Sequence, residues 1–171
     1  LLVVGDERAA AGTMVLLIRR AQALMEAAGD DGDFDALCQQ LHRYQATLRT
    51  CFTLENFDNL IKNGRMRPIV GTLLRSLGIH IIADATAEGT IHVADKARGV
   101  GKTYRAITAL MKASKDCTDA EVVISHCENL EGAMALKRQI LADLPVKQVD
   151  LLSCRGLTSF YAMEKGLIVG Y

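Results

Sequence analysis

The chain has 171 residues, and its 20 basic and 20 acidic side chains give a formal net charge of zero. Half of the residues are hydrophobic but only 5% are aromatic, so a core must be built mainly from aliphatic side chains. The balanced charge argues against a nucleic-acid-binding domain, and the lack of any run of roughly twenty apolar residues argues against a membrane span. The five cysteines are scattered and odd in number, which favours free thiols in a reduced, cytoplasmic protein.

The first part of the chain contains a short apolar strand and a long helix. Leu1–Val4 reads as a buried strand, and so short a strand cannot bury both of its faces by itself. Gly12–Ala28 follows as a strong helix with Ile18 on its apolar face. We therefore expect residues 1–30 to be a remnant strand and helix that lead in from a missing N-terminal domain. Residues 31–171 are expected to form one C-terminal α/β domain.

A second helix is predicted from the N-cap residue Asp33 to about Leu48, with Phe34 on its apolar side. Several acidic residues, beginning at Asp30, precede or open this helix. They do not match a calcium-binding EF-hand loop, because the carboxylate required at its last position is absent. The acidic segment is therefore interpreted as a helix-capping turn.

The next stretch is densely organised. It contains a strand, Arg49–Leu54, and a short helix, Glu55–Lys62, which Gly64 ends by adopting a positive φ. Arg65 then precedes a helix predicted for Pro68–Leu77, where free backbone N–H groups and a guanidinium would favour an anionic group. The alternative interpretation is a solvated turn charge, since surface arginines are common.

The second half alternates strands and helices after a hairpin. The hairpin strands are Ile79–Asp84 and Thr90–Asp95, and Lys96–Gly101 is predicted to be a basic turn. This order predicts an α/β fold: a two-layer mixed β-sheet with helices packed mainly on one face. The remaining predicted elements are Lys102–Lys115, Ala120–His126, Asn129–Leu144, Val146–Ser153 and Leu167–Val169.

The segment Gly99–Thr103, GVGKT, is similar to the end of a phosphate-binding P-loop. The full pattern requires a glycine where this chain has Lys96, and it requires a buried parallel strand in front. A small nucleotide-dependent enzyme that binds its nucleotide through Gly101, Lys102 and Thr103 therefore stays open as an alternative function. We predict surface histidines at His80 and His92 and no metal site, since no cysteine or carboxylate stands at ligand spacing. No cofactor is expected.

Five segments in order resemble the DegV family of fatty-acid-binding proteins. TLENFDNLIKNGRMRP is similar to the family's T-L-x-x-L-x-x-G-G-R-I, with Gly64 and Arg65 in the G-R places. DKARGVGKTYRAI is similar to K-x-R-G-x-x-K-A, which Arg98 matches. The other three are the opening LLVVGDERAAAG, ISHCENLEGAMALKRQI, and the terminal CRGLT with GLIVGY.

The resemblance implies a non-enzymatic carrier that binds one long-chain fatty acid and presents its carboxylate to a partner fatty-acid kinase of the dihydroxyacetone-kinase type. It places Gly64, Arg65 and Arg98 on the face that meets the ligand or the kinase. The late family histidine falls at Ala162, so the adjacent Tyr161 is either a substitute hydroxyl donor there or a packing residue. Thr158, in the CRGLT segment, completes the set of predicted ligand- or partner-binding residues.

Two departures from the family pattern leave a second function open. The first family domain, with its serine and threonine carboxylate-binding loop, is expected to be missing, and Ala162 replaces the late histidine. Glu164 would also be unfavourable beside a carboxylate, because like charges repel. The alternative is a ligand-free regulatory or interaction domain, fused to or associated with a dihydroxyacetone-kinase-type phosphotransferase.

Overall fold

The computed structural model describes residues 11–29, 32–66, 78–85 and 90–171. The predicted strand Leu1–Val4 and the predicted helix Pro68–Leu77 lie outside the described residues. Among the described helices, none is long and apolar enough to cross a membrane.

The described elements follow the predicted order closely. Helix α1 occupies the predicted span, and the Asp33 side chain accepts hydrogen bonds from the N–H groups of Asp35 and Ala36, as an N-cap should. The helices are α1 (Gly12–Ala28), α2 (Phe34–Thr47), α3 (Asp58–Lys62), α4 (Val100–Ser114), α5 (Leu130–Asp143) and α6 (Gly156–Ala162). The strands are β1 (Thr50–Leu54), β2 (Ile79–Ala85), β3 (Ile91–Arg98), β4 (Glu121–His126), β5 (Gln148–Ser153) and β6 (Leu167–Gly170).

The six strands form one mixed sheet in the order β3-β2-β1-β6-β4-β5. Only β4 and β5 run parallel, joined by the crossover helix α5, and every other neighbouring pair is antiparallel. The predicted mixed α/β fold is confirmed. In this register β1, β3, β4 and β5 end where β2 and β6 begin, and we call this side of the sheet the carboxyl edge.

The two faces of the sheet carry different helices. Val122 and Ile124 of β4 point to the face covered by α4 and α5, which we call the α4 face. Val123 points the other way and contacts the start of α1, so that face is the α1 face. Each face has its own hydrophobic core. The first core, on the α4 face, includes Ile107, Met111, Ile124, Leu136 and Ile140; the second, on the α1 face, includes Phe52, Leu54, Phe57, Leu60, Met66, Ile81, Ala83 and Ala162.

The start of α1 lies directly on the sheet. A Cβ atom added to Gly12 would be 2.6 Å from the backbone oxygen of Val123, and one added to Gly170 would meet the backbone of Gly12 and Thr13. Both glycines are therefore required for the close approach of helix and strand. Helix α1 thus packs on β4 and β6. The proposed domain boundary at residue 30 stays a prediction.

Three local predictions differ from the structure. The apolar face proposed for α1 is wrong at Ile18, which is 58% exposed, because Leu16 and Leu17 are the side chains that pack inward. Phe34 is 62% exposed on α2. The predicted turn Lys96–Gly101 is wrong in its first half, since β3 continues to Arg98 by pairing with the start of β2.

Helix α3 begins three residues later than predicted, at Asp58, whose N–H group donates to the Asn56 side chain at 2.8 Å. Helix α6 was not predicted at all. Its span of 7 residues contains threonine, serine and phenylalanine, which give no helical signal on their own.

A buried phenol makes the fold sensitive to high pH. Tyr171 is 2% exposed, its hydroxyl lies 2.7 Å from that of Ser114, and burial raises the pKa of the phenol. The folded protein therefore favours the neutral phenol. Its contribution to the free energy of unfolding is complete below the pKa of tyrosine in the unfolded chain, about 10, and is lost as the pH rises above that value. We expect the free energy of unfolding, measured in denaturant at several pH values, to fall above about pH 10 less steeply in Tyr171→Phe than in the parent. Parallel losses in the two proteins would rule out the buried phenol as the cause.

Candidate functional site

The predicted Gly64-Arg65 turn closes α3 on the α1 face. Gly64 has a φ of +68°, its N–H donates to the Ile61 carbonyl, and the N–H of Arg65 donates to the Leu60 carbonyl at 2.8 Å. This is the paired hydrogen-bond pattern of a Schellman cap. Met66 is buried in the second core immediately afterwards. The turn therefore holds the exposed Arg65 beside the apolar second core.

Arg98 lies at the carboxyl end of β3, and its cross-strand partner is Ile79. Alternation along β2 puts Ile79 on the same face as Ile81, which belongs to the second core. Arg98 thus lies on the α1 face, as Arg65 does, and its side chain is exposed. The register places Arg98 on the α1 face, and Arg65 precedes Met66 of the second core on that face, while a basic surface shared by the two arginines stays a prediction.

The remaining two predicted residues are in α6. Thr158 and Tyr161 are half-buried, and Tyr161 packs against the second core with its ring edge-on to that of Phe160. The Asn59 amide donates to the Phe160 carbonyl at 2.6 Å, which ties α6 to α3. The α3 and α6 segments are therefore neighbours, although about a hundred residues separate them in the chain.

Ala162, the residue at the place of the family's late histidine, is completely buried. The loop behind it contains Met163 and Lys165, both with positive φ, at 54° and 65°. Its backbone is held by the residues that follow β4: the N–H of Lys165 donates to the Cys127 carbonyl at 2.8 Å, and the Asn129 amide donates to the Lys165 carbonyl at 2.9 Å. The segment is thus firmly placed at the carboxyl edge and carries no imidazole there.

Asn129 was not recognised as a site residue from the sequence. Its Oδ1 accepts from the Gly132 N–H at 3.1 Å, which caps α5, while its Nδ2 holds the Lys165 loop. The only sequence signal was an asparagine at the start of a predicted helix, which indicates a helix cap. It does not indicate the hydrogen bond to the distant Lys165 carbonyl.

The described part of the chain contains no cluster of metal-binding side chains. No three histidine, cysteine, aspartate or glutamate side chains within it could hold a metal ion. His92 lies 3.0 Å from Asp84 as an exposed pair, and the register separates it from His80. Burial raises the pKa of the Cys154 thiol to about 11, so that thiol stays protonated near neutral pH.

The P-loop interpretation of GVGKT gains no support from this fold. β3, the strand before it, is an antiparallel edge strand instead of a central parallel one. The Thr103 hydroxyl donates to the Gly99 carbonyl at 3.1 Å, so it closes the first turn of its own helix.

Comparison with known proteins identifies the family. A family model described as "Uncharacterised protein, DegV family" matches residues 2–167. A DegV domain-containing protein of Streptococcus gordonii is 30% identical over 167 residues, which are 97% of this chain and 58% of that protein. A second one, spr0652 of Streptococcus pneumoniae, is 32% identical over 168 residues, with the same coverage. The chain therefore spans less than two thirds of the length of these curated relatives.

Two solved structures that carry fatty acids have the same fold. A DegV family protein from Eubacterium eligens, loaded with heptadecanoic acid, superposes with a TM-score of 0.88 at 25% identity and covers 96% of this chain and 58% of its own. The fatty acid kinase (Fak) B3 protein of Streptococcus pneumoniae, loaded with linoleic acid, gives 0.87 at 30% identity, covering 97% and 58%. By the matched span, the sequence identity and the shared fold, the chain belongs to the DegV family.

Proposed function

We propose that this chain is part of a DegV-type carrier that binds one long-chain fatty acid and presents its carboxylate to a partner fatty-acid kinase of the dihydroxyacetone-kinase type. The observation that supports the proposal is the α1 face at the carboxyl edge, where Arg98 ends β3 and where Met66, next to Arg65, and Tyr161 pack in the apolar second core. The two relatives loaded with fatty acids support it.

The chemistry of a fatty acid fits this face. An acyl chain needs continuous apolar surface, and the partly buried side chains of Ile91, Val93 and Ile168 lie beside the second core on the sheet itself. A carboxylate taken out of water needs cationic or hydrogen-bond donors close by. In this proposal Arg65 and Arg98 supply the charge, Tyr161 and Thr158 supply hydroxyl groups, and Gly64 sets the direction of the arginine turn. No catalytic side chain is assigned, because the carrier itself does no chemistry.

One observation favours the second candidate, a ligand-free interaction domain that serves a dihydroxyacetone-kinase-type phosphotransferase. Ala162 is completely buried where the family pattern has a histidine, so this chain offers no imidazole to the head group. Under that alternative the arginines would meet only the kinase. The cytoplasmic location expected from the scattered cysteines stays a prediction.

A matched pair of ligands separates the two candidates. We expect oleic acid to raise the melting temperature of the protein, whereas methyl oleate, which has the same chain and no carboxylate, should raise it by much less. A carboxylate bound by charged donors accounts for the difference, since such hydrogen bonds contribute about 1.5–3 kcal/mol each. No effect of either ligand would favour the interaction domain, whereas equal effects of acid and ester would overturn the assignment of the charged donors to the carboxylate.

A further inference from the structure

A cavity lies at the carboxyl edge on the α4 face of the sheet, opposite the face that carries Arg98 and Tyr161. Its volume is about 290 Å³, enough for a molecule of a few to a dozen heavy atoms. Its wall is made by the end of β1, the starts of β2 and β6, and the first turns of α4 and α5, which both begin here. Among its lining residues are Thr53, His80, Val100, Tyr104, Glu131 and Leu167.

The Thr53 hydroxyl is the clearest sign that this cavity receives a polar group. Thr53 is 5% exposed and lies on the same face as Cys51 of the first core, opposite Leu167 of β6. Its Oγ1 atom is buried and has no hydrogen-bond partner among the described residues. A buried hydroxyl without a partner costs about 1–3 kcal/mol, so a hydrogen-bonding group in the cavity would remove that cost.

The first turn of α4 makes one wall of the cavity favourable for an anion. Gly99, its N-cap residue, has no side chain that could accept from the first N–H groups, and the turn contains no acidic residue. The positive end of the helix dipole is therefore uncompensated at Val100. His80 lies on the same wall, and no hydrogen bond or ion pair joins it to another described residue.

The first turn of α5 places a carboxylate, Glu131, on the other wall. Glu131 forms no salt bridge within the described chain, whereas Glu55, also on the lining, lies 3.7 Å from the Lys165 ammonium group. Burial, followed by the charges of Glu131 and Glu55, raises the pKa of Tyr104. The phenol is therefore protonated and can donate. The cavity thus has an uncompensated positive wall and an unpaired carboxylate on the other side.

We propose that this cavity binds a small zwitterion, with its oxyanion against the first turn of α4, its ammonium group against Glu131, and a hydrogen bond from the molecule to Thr53. The oxyanion is a carboxylate or a phosphate, since both accept hydrogen bonds at helix N-termini. The site is independent of the proposed fatty-acid function, because the sheet separates it from Arg65, Arg98 and Tyr161.

Calorimetric titration with two zwitterions, O-phosphoethanolamine and β-alanine, tests the proposal. Inorganic phosphate and ethanolamine serve as controls, because each carries only one of the two charged groups of O-phosphoethanolamine. We expect at least one zwitterion to bind about tenfold tighter than either half, because only the whole molecule meets both walls. The preferred zwitterion then identifies the oxyanion. No binding of either zwitterion at millimolar concentration would overturn the proposal.

Two variants test the assigned contacts. Thr53→Val keeps the shape and removes the unpartnered hydroxyl, so the melting temperature without ligand should stay the same or rise, while zwitterion binding weakens about tenfold. A lower melting temperature together with unchanged binding would contradict the role of Thr53. Glu131→Gln, at an exposed position, should weaken zwitterion binding and leave phosphate binding unchanged, whereas Glu26→Gln on α1 should change neither. Equal effects of the two glutamate variants would overturn the ammonium contact.

Discussion

Gly170→Ala is expected to lower the free energy of unfolding by about 3 kcal/mol, the upper part of the range for overpacked sites. The added Cβ would lie 2.6 Å from the Gly12 carbonyl carbon and closer still to the Thr13 amide nitrogen. Both are backbone atoms, so no side-chain rotation can relieve the clash, and α1 must move away from β6. Thermal unfolding should show a melting temperature lower by about 6–12 °C for a chain of this size.

Gly101→Ala is the matched control for this change. Gly101 lies inside α4, and a Cβ added there meets no atom within 4 Å. Alanine is the better helix former, so this variant should gain about 0.5–1 kcal/mol. If both alanine variants changed stability by the same amount and in the same direction, the tight contact between α1 and β6 would be refuted.

Arg65→Ala is expected to reduce kinase-dependent phosphorylation of a bound fatty acid by about tenfold to a hundredfold, measured as kcat/KM with the partner kinase and ATP. A lost charge-assisted hydrogen bond contributes about 1.5–3 kcal/mol, and each 1.4 kcal/mol corresponds to a factor of ten. Stability should be almost unchanged, because Arg65 is exposed and its turn is held by backbone hydrogen bonds to Leu60 and Ile61.

Lys62→Ala provides the comparison for charge. Lys62 is an exposed cation at the end of α3, only three residues before Arg65 in the chain. It should retain nearly the full rate, because the proposal assigns it no contact with ligand or kinase. Equal losses in the two variants would show that only the general positive charge matters, and an unchanged rate in Arg65→Ala would remove Arg65 from the site.

Strands and turns were predictable because their signals are local. The predicted strand Ala120–His126 contains the apolar run Val122–Ile124, and the structure places β4 between β6 and β5. Asn63-Gly64 likewise indicated the end of α3, because only a residue tolerant of positive φ can close a helix in this way. The order of elements then predicted a mixed sheet, in which the structure shows β4 and β5 as the parallel pair.

The inward face of α1 was not predictable, because Ile18 and Leu17 are equally apolar and alternative stripes exist around the helix. The contact of Gly12 with Val123 decides the rotation of the helix, and that contact joins residues far apart in the chain. The cavity around Thr53 was missed for the same reason. Its lining comes from β1, β6 and two helix starts, and no single stretch of sequence carries its pattern.

The most direct measurement of the central proposal is native mass spectrometry of the purified protein, followed by solvent extraction and identification of whatever is bound. We predict one long-chain fatty acid per chain, which would mean that a site with Ala162 in place of the family histidine still holds a carboxylate. A protein that carries no lipid, and that takes up none when incubated with oleic acid, would contradict the carrier function.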